Sequence, residues 1–178
     1  ISALACCLVI VCAVLSAAGQ GKNPIILIPG LTGSELVNTR TGNKVWFRTR
    51  RSRTDDMKLP ISPNITANRD GLSAGDIIRD VKFALRRIDV YGGLLEGLGK
   101  AGYREAKWDS PGARGYEDTV YVFPYDWRRD NVETARLLLR RIEALKRRLR
   151  RPNLKFDVIG HSMGGLIARH YLESGRFT

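Results

Sequence analysis

The chain has little with which to crosslink itself or ligate a metal: three cysteines and two histidines in 178 residues. Cys6, Cys7 and Cys12 all fall in the opening apolar segment. If that segment is removed, the remainder has no cysteine, which excludes a disulfide framework and a cysteine metal site. Export to a compartment where disulfides are optional, such as a bacterial periplasm or the medium, fits this usage.

A run of membrane-spanning length is also lacking. Residues 3–18 carry no charge and read as one apolar stretch, but a comfortable bilayer span needs roughly 20 residues. A signal-peptide core fits better, with Ser16 and Ala18 as small residues at the spacing a signal peptidase reads. An uncleaved membrane anchor is the alternative. The expected organisation is therefore a signal peptide or anchor over 1–18 and one domain over 19–178. The chain opens on Ile1 and stops soon after its central motif, so both ends are expected to be incomplete.

Nucleic-acid signatures are missing as well. Lysine and arginine number 30 against 18 acidic residues, for a net charge of +12. Yet no helix-turn-helix signature and no basic stretch interleaved with stacking aromatics is present, which argues against a nucleic-acid partner. An anionic membrane or lipid surface is the better expectation for the excess charge. With 43% hydrophobic and 27% charged residues, the chain suits a globular domain with a real core rather than a disordered one.

What the sequence does contain is organised around Phe156-Asp157-Val158-Ile159-Gly160-His161-Ser162-Met163-Gly164-Gly165. A buried strand runs into a small-residue turn and then into a helix, where Leu166, Ile167, His170 and Tyr171 recur at helical spacing. The Gly-x-Ser-x-Gly pattern of Gly160, Ser162 and Gly164 in that setting is a nucleophile elbow, which exposes a serine at the top of a parallel sheet. Ser162 is the candidate nucleophile, and Gly160 and Gly164 let the helix pass close to the strand.

Upstream, Pro24-Ile25-Ile26-Leu27-Ile28 reads as a fully buried strand without polar alternation. It ends in Pro29-Gly30-Leu31-Thr32-Gly33-Ser34, too rich in glycine to continue as regular structure. In serine hydrolases of this architecture that loop gives one oxyanion-hole amide and the residue after the nucleophile gives the other. Those residues are Leu31 and Met163.

The region over 35–79 is polar, interrupted by Pro60 and Pro63, and reads as irregular: a candidate lid or interfacial loop region. Trp46 and Phe47 precede the cations Arg48, Arg50, Arg51 and Arg53, a grouping suited to a lipid interface. A solvated loop with one buried tryptophan is the alternative. Asn64-Ile65-Thr66 forms a glycosylation sequon, which matters only in a eukaryotic secretory route.

From Asp76 the pattern turns helical, with Tyr91, Leu94, Leu95 and Leu98 as an apolar face before Gly99 and Gly102. Thr119 to Pro124 reads as a further strand. Asp126 lies just past its end, either as a functional group or paired with Arg128 to hold the loop. Over 133–151 an amphipathic helix carries Leu138, Ile142, Leu145 and Leu149 on one face and eight cations elsewhere. The alternation of strands and helices predicts an α/β domain with a parallel sheet.

Acyl transfer by serine needs a base to take the hydroxyl proton and donors to meet the oxyanion. Nothing in this chemistry calls for a cofactor or a metal. The chain offers the nucleophile and the donors, but the base is not evident. His161 sits at the elbow with its side chain expected to point away from the serine, and His170 lies about 12 Å further along the helix. Glu173 is the only acid after Ser162. The usual order of serine, acid, histidine places the missing pair beyond Thr178 or leaves them absent.

Taken together, the strand ending in Pro29-Gly30-Leu31-Thr32-Gly33-Ser34, the run Val90-Tyr91-Gly92-Gly93-Leu94-Leu95, Tyr125-Asp126-Trp127-Arg128 and the Gly160 to Gly165 elbow resemble the lecithin:cholesterol acyltransferase family. That family belongs to the α/β-hydrolases, and the likeness runs from Asn23 to Leu172. It implies an N-terminal portion of an α/β-hydrolase domain, with C-terminal strands and helices missing. It also implies that Ser162 takes an acyl chain from a phospholipid or other lipid ester and passes it to an alcohol, such as a sterol or glyceride, or to water. A non-catalytic lipid-surface binding module, or an inactive truncated pseudoenzyme, is the alternative expectation.

Overall fold

The structure, a computed structural model, describes residues 22–48, 57–59, 61–64, 67–83, 86–111 and 116–174. The expected signal or anchor segment with its three cysteines, the cations Arg50, Arg51 and Arg53, and Ile65 and Thr66 of the sequon lie outside the described residues. Among the described residues, no helix is long and apolar enough to cross a membrane.

The central sheet is parallel. Strand β1 (Ile25–Ile28) lies between β8 (Thr119–Val122) and β9 (Asp157–Gly160), and the short β7 (Arg104–Glu105) extends the β8 side. Every residue of β1 is buried, because the sheet is covered on both faces. Ile26 and Ile28 point to one face, where helices α2 (Asn131–Leu149) and α3 (Met163–Glu173) pack through Leu138, Ile142, Leu145, Ile167 and Ala168. Ile25 and Leu27 point to the other, toward Leu95 and Leu98 of helix α1 (Gly92–Lys100) and the preceding Tyr91. The period-two alternation of a strand thus serves two cores at once, and the apolar run without alternation is the mark of such burial.

Helix α2 forms where the 3.6-residue period predicted it, starting two residues earlier. Asp130 caps it by accepting from the Val132 and Glu133 amides at 2.8 and 3.2 Å, satisfying two donors that a helix start leaves open. The α/β architecture with a parallel sheet is therefore present.

Two stretches differ from the sequence reading. The region read as irregular over 35–79 builds a three-stranded antiparallel sheet, in which β2 (Ser34–Asn38) lies between β3 (Lys44–Trp46) and β4 (Leu72–Ile77). The helix expected from Asp76 starts only at Gly92. Before it, β5 (Asp80–Phe83) and β6 (Arg86–Asp89) pair as a hairpin. The spacing of Ile77, Ile78 and Val81 imitates a helical face, but cross-strand pairing overrides so short a signal.

Arg128 ties the loop after β8 to the segment before β4. Its Nε and Nη2 reach the two Asp126 oxygens at 2.9 and 2.7 Å. Nη1 and Nη2 reach the Asp70 oxygens at 2.6 and 3.1 Å, and Nη1 also reaches the Met57 carbonyl at 3.1 Å. All five guanidinium donors are thus used, so Asp126 holds the loop. Burial pushes the Asp70 carboxyl up, but the Arg128 hydrogen bonds, the Leu72 amide and the Arg128 charge outweigh it and hold the group below its ordinary value. A folded-state pKa below the unfolded one gives stability that is fully present above about pH 4 and is lost as pH falls through the folded value. Asp70→Asn is expected to lower the urea midpoint at about pH 7 and to flatten its fall between about pH 5 and pH 1; an unchanged acid profile would show that the pair contributes nothing.

Candidate active site

Strand β1 is where the chain order of the sheet reverses: the next strand on one side is β8 and on the other β9. In open α/β sheets the crevice at the carboxyl ends of such strands is where ligands bind. Ile28 and Gly160 are register partners at the ends of β1 and β9, so the loop from Pro29 and the turn from His161 leave the sheet side by side.

At that turn Ser162 has φ +51° and ψ −121°, a conformation that costs a non-glycine residue about 1–3 kcal/mol. It is held because helix α3 begins directly afterwards and its first turn passes against the strand ends. A Cβ on Gly160 would lie 2.8 Å from the Gly165 Cα, and one on Gly164 would meet the Ile28 and Pro29 carbonyl oxygens, the latter at 2.6 Å. Only glycine fits at either position. The His161 and Ser162 carbonyls accept from the Gly164 and Gly165 amides at 2.8 Å each, closing the turn. A strand, a strained serine and a helix thus follow one another directly, and Ser162 is exposed.

The β1 loop is bracketed by aromatic side chains. Tyr125 Oη donates to the Pro29 carbonyl at 2.9 Å, and the Gly30 amide donates to Tyr91 Oη at 2.8 Å. Trp46 Nε1 donates to the Thr32 carbonyl at 2.9 Å and Trp127 Nε1 to the Ser34 carbonyl at 3.1 Å. The Gly33 amide closes on the Gly30 carbonyl, and the Gly33 carbonyl accepts from Ile78. With these groups engaged, the Leu31 amide has no acceptor among the described residues. Neither has the Met163 amide, which sits in the first helical turn where no intrahelical acceptor exists. A Cβ on Gly30 would lie 3.1 Å from the Ser162 Cβ, so this loop and the elbow are in contact.

Trp46 is half-buried, stacked edge-on against Trp127 at 5.6 Å and Phe47 at 5.2 Å. Its visible work is to hold the loop. Sequence reasoning did not find the roles of Tyr91, Tyr125 and Trp127, whose partners lie 61, 96 and 93 residues away. Tyr91 in particular reads as one more apolar residue of the face that α1 continues.

The Ser162 hydroxyl has no hydrogen-bond partner among the described residues. His161 Nδ1 is engaged with Tyr91 Oη at 2.8 Å. His170 lies in the last turn of α3, eight positions past the serine and so about 12 Å along the axis. The basic end of α2, with Lys146, Arg147 and Arg148, runs back to the amino-terminal edge of the sheet, away from the elbow. Among the described residues no group of three or more histidine, aspartate or glutamate side chains could hold a metal ion.

The family model for lecithin:cholesterol acyltransferase matches residues 39–177, which include the elbow and the Tyr91 segment. The chain is similar to "Lecithin-cholesterol acyltransferase-like 4" of Arabidopsis thaliana, with 30% identity over 176 residues. The match covers 84% of this chain and 30% of that protein, so the chain spans under a third of its relative's length. No solved structure matches.

The elbow geometry sets opposite expectations for two glycine-related changes. Ser162→Gly relieves the left-handed strain and is expected to raise stability by about 1 kcal/mol or more. Gly164→Ala drives a methyl group into two backbone oxygens and is expected to cost at least about 2 kcal/mol. Urea unfolding measures both, and a Ser162→Gly variant less stable than wild type would contradict the strained turn.

Proposed function

The chain belongs to the lecithin:cholesterol acyltransferase family, and from that premise we propose that it forms the nucleophile-bearing part of an exported serine acyl-ester enzyme of α/β-hydrolase type. Its substrates are phospholipids or other lipid esters. A base takes the Ser162 hydroxyl proton as its oxygen attacks the ester carbonyl, the Leu31 and Met163 amides receive the developing oxyanion, and collapse breaks the ester C–O bond while the base passes that proton to the departing alcohol. The resulting acyl-enzyme then passes its acyl group to an alcohol, such as a sterol or glyceride, or to water.

The observation that carries this reading is the pairing of an exposed serine at φ +51° with two backbone amides left without acceptors among the described residues. Preorganised donors of this kind are worth about 2.7–4 kcal/mol each in acyl transfer. Neither histidine supports the role of base: His161 is tied to Tyr91, and His170 is about 12 Å, more than two turns, along the helix. The reading therefore assigns the base to neither of them. The net charge of +12 supports attraction to an anionic lipid surface through the field of the whole molecule, with Trp46 and Phe47 as candidate contacts.

In a protein that carries this domain together with a base, Ser162→Ala is expected to lower release or transfer of the acyl chain at least about a thousandfold. Retained activity would sink the proposal. The 178 residues alone are expected to cleave an activated ester no faster than their Ser162→Ala variant; clear turnover would mean that the base lies within them. Binding to anionic vesicles is expected to weaken as salt rises.

A further inference from the structure

Tyr91 is almost wholly buried, at 5% exposure, and its hydroxyl has two partners. It accepts from the Gly30 amide at 2.8 Å and lies 2.8 Å from His161 Nδ1. Gly30 precedes Leu31, and His161 precedes Ser162. One phenol oxygen therefore touches the residue before the loop amide and the residue before the serine.

We propose that Tyr91 is a positioning residue that fixes the Leu31 amide relative to the Ser162 hydroxyl by bridging the Gly30 amide and the His161 ring. The inference rests on the serine acyl-transfer reading above and adds a group to it that never touches substrate.

The proton arrangement follows from the partners. A phenol has one proton, and here no other acceptor for it exists among the described residues. With the Gly30 amide occupying one lone pair, the bridge directs that proton to Nδ1 and leaves the ring hydrogen to Nε2. Burial pushes the Tyr91 phenol up from its ordinary value, opposed by the Gly30 amide, so it keeps the proton to donate at neutral pH. The ring of His161 is further held edge-on to the Tyr91 ring, with centroids 5.8 Å apart.

The bridge is stiff on both sides. Pro29 C=O and Gly30 N–H belong to one planar peptide: Tyr125 Oη donates to its oxygen and Tyr91 Oη accepts from its nitrogen. Two tyrosines thus clamp the peptide just before Leu31 and set the direction in which the next amide points. Tyr91 in turn is anchored by its backbone, since the Val90, Tyr91 and Gly92 amides all donate to the Arg79 carbonyl, at 2.9, 3.1 and 2.9 Å. The Asp89 carboxylate caps the same helix start by accepting from Gly93 at 2.9 Å. Across the gap, the Gly30 Cα presses on the elbow so closely that an added Cβ would lie 2.9 Å from His161 Nδ1. Losing the hydroxyl frees both the peptide and the ring while leaving the aromatic packing in place.

Tyr91→Phe tests this with two readouts. In the 178-residue chain, nitrogen-15 spectra of the His161 ring are expected to show a single tautomer protonated at Nε2 in wild type. The variant is expected to give a tautomer mixture and at least tenfold faster Gly30 amide exchange, a fall of about 1.4 kcal/mol in the free energy of opening. In a protein that carries this domain together with a base, kcat for acyl transfer is expected to fall about 10- to 100-fold with KM unchanged, since a small misplacement of a donor acts on the transition state. A His161 protonated at Nδ1 in wild type, or a variant with unchanged spectra and unchanged kcat, would overturn the inference. If the spectra change as expected but Ser162→Ala keeps full activity, the bridge stands and the serine reading falls. If Ser162→Ala is inactive and Tyr91→Phe is wild type in both readouts, the serine reading stands and the bridge falls.

Discussion

The close approach of helix α3 to the ends of β1 and β9 is the constraint on which the rest depends. With Ile28 and Gly160 in register, the chain has no room for a side chain at Gly164, whose Cα faces the Ile28 and Pro29 carbonyls. The turn between must therefore be abrupt, and Ser162 absorbs it in a left-handed conformation. Everything placed near the serine, including the β1 loop and its amides, is near it because those backbones pack without side chains between them. Two cores hold the strands that impose this, one under α2 and α3 and one under α1.

A second layer of organisation comes from aromatic residues with polar tips. Tyr91, Tyr125, Trp46 and Trp127 bury their rings and extend one hydroxyl or indole N–H to the loop backbone. Such side chains suit a loop rich in glycine, which has few side chains of its own with which to fix its course. They satisfy the loop's buried polar groups and leave the Leu31 amide available. Arg128 does similar work one layer out, joining Asp126 and Asp70 with every donor used.

The central elements were legible because their signals are local. An unbroken Ile-Ile-Leu-Ile run has few options but a buried strand, the Leu138, Ile142, Leu145 spacing fits a helix, and the Gly160, Ser162, Gly164 pattern needs a strand before it and a helix after it. The three-stranded sheet of β2, β3 and β4 was not legible, because Leu-Ser-Ala-Gly-Asp-Ile shows neither alternation nor β-branched enrichment and is a strand only through its pairing with β2. The hairpin of β5 and β6 reads as helix because Ile77, Ile78 and Val81 fall at helical spacing, which masks the short alternation of Asp80-Val81-Lys82-Phe83. The bridging role of Tyr91 depends on partners 61 and 70 residues away, a distance over which no sequence pattern reports. Asp126 was legible as an ion-pair partner of Arg128, two residues on, whereas Asp70 at 58 residues' separation was not.

What emerges is a domain that holds an exposed serine in fixed relation to a neighbouring loop, with the Leu31 and Met163 amides left without acceptors among the described residues. The central claim is that the acyl group passes through Ser162. Acid-quenching a protein that carries this domain together with a base during turnover of a phospholipid with an isotope-labelled acyl chain, and sequencing its peptides by mass spectrometry, tests that most directly. The account predicts labelled acyl mass on the peptide containing Ser162. Turnover with Ser162 unmodified and the label on another residue would contradict it.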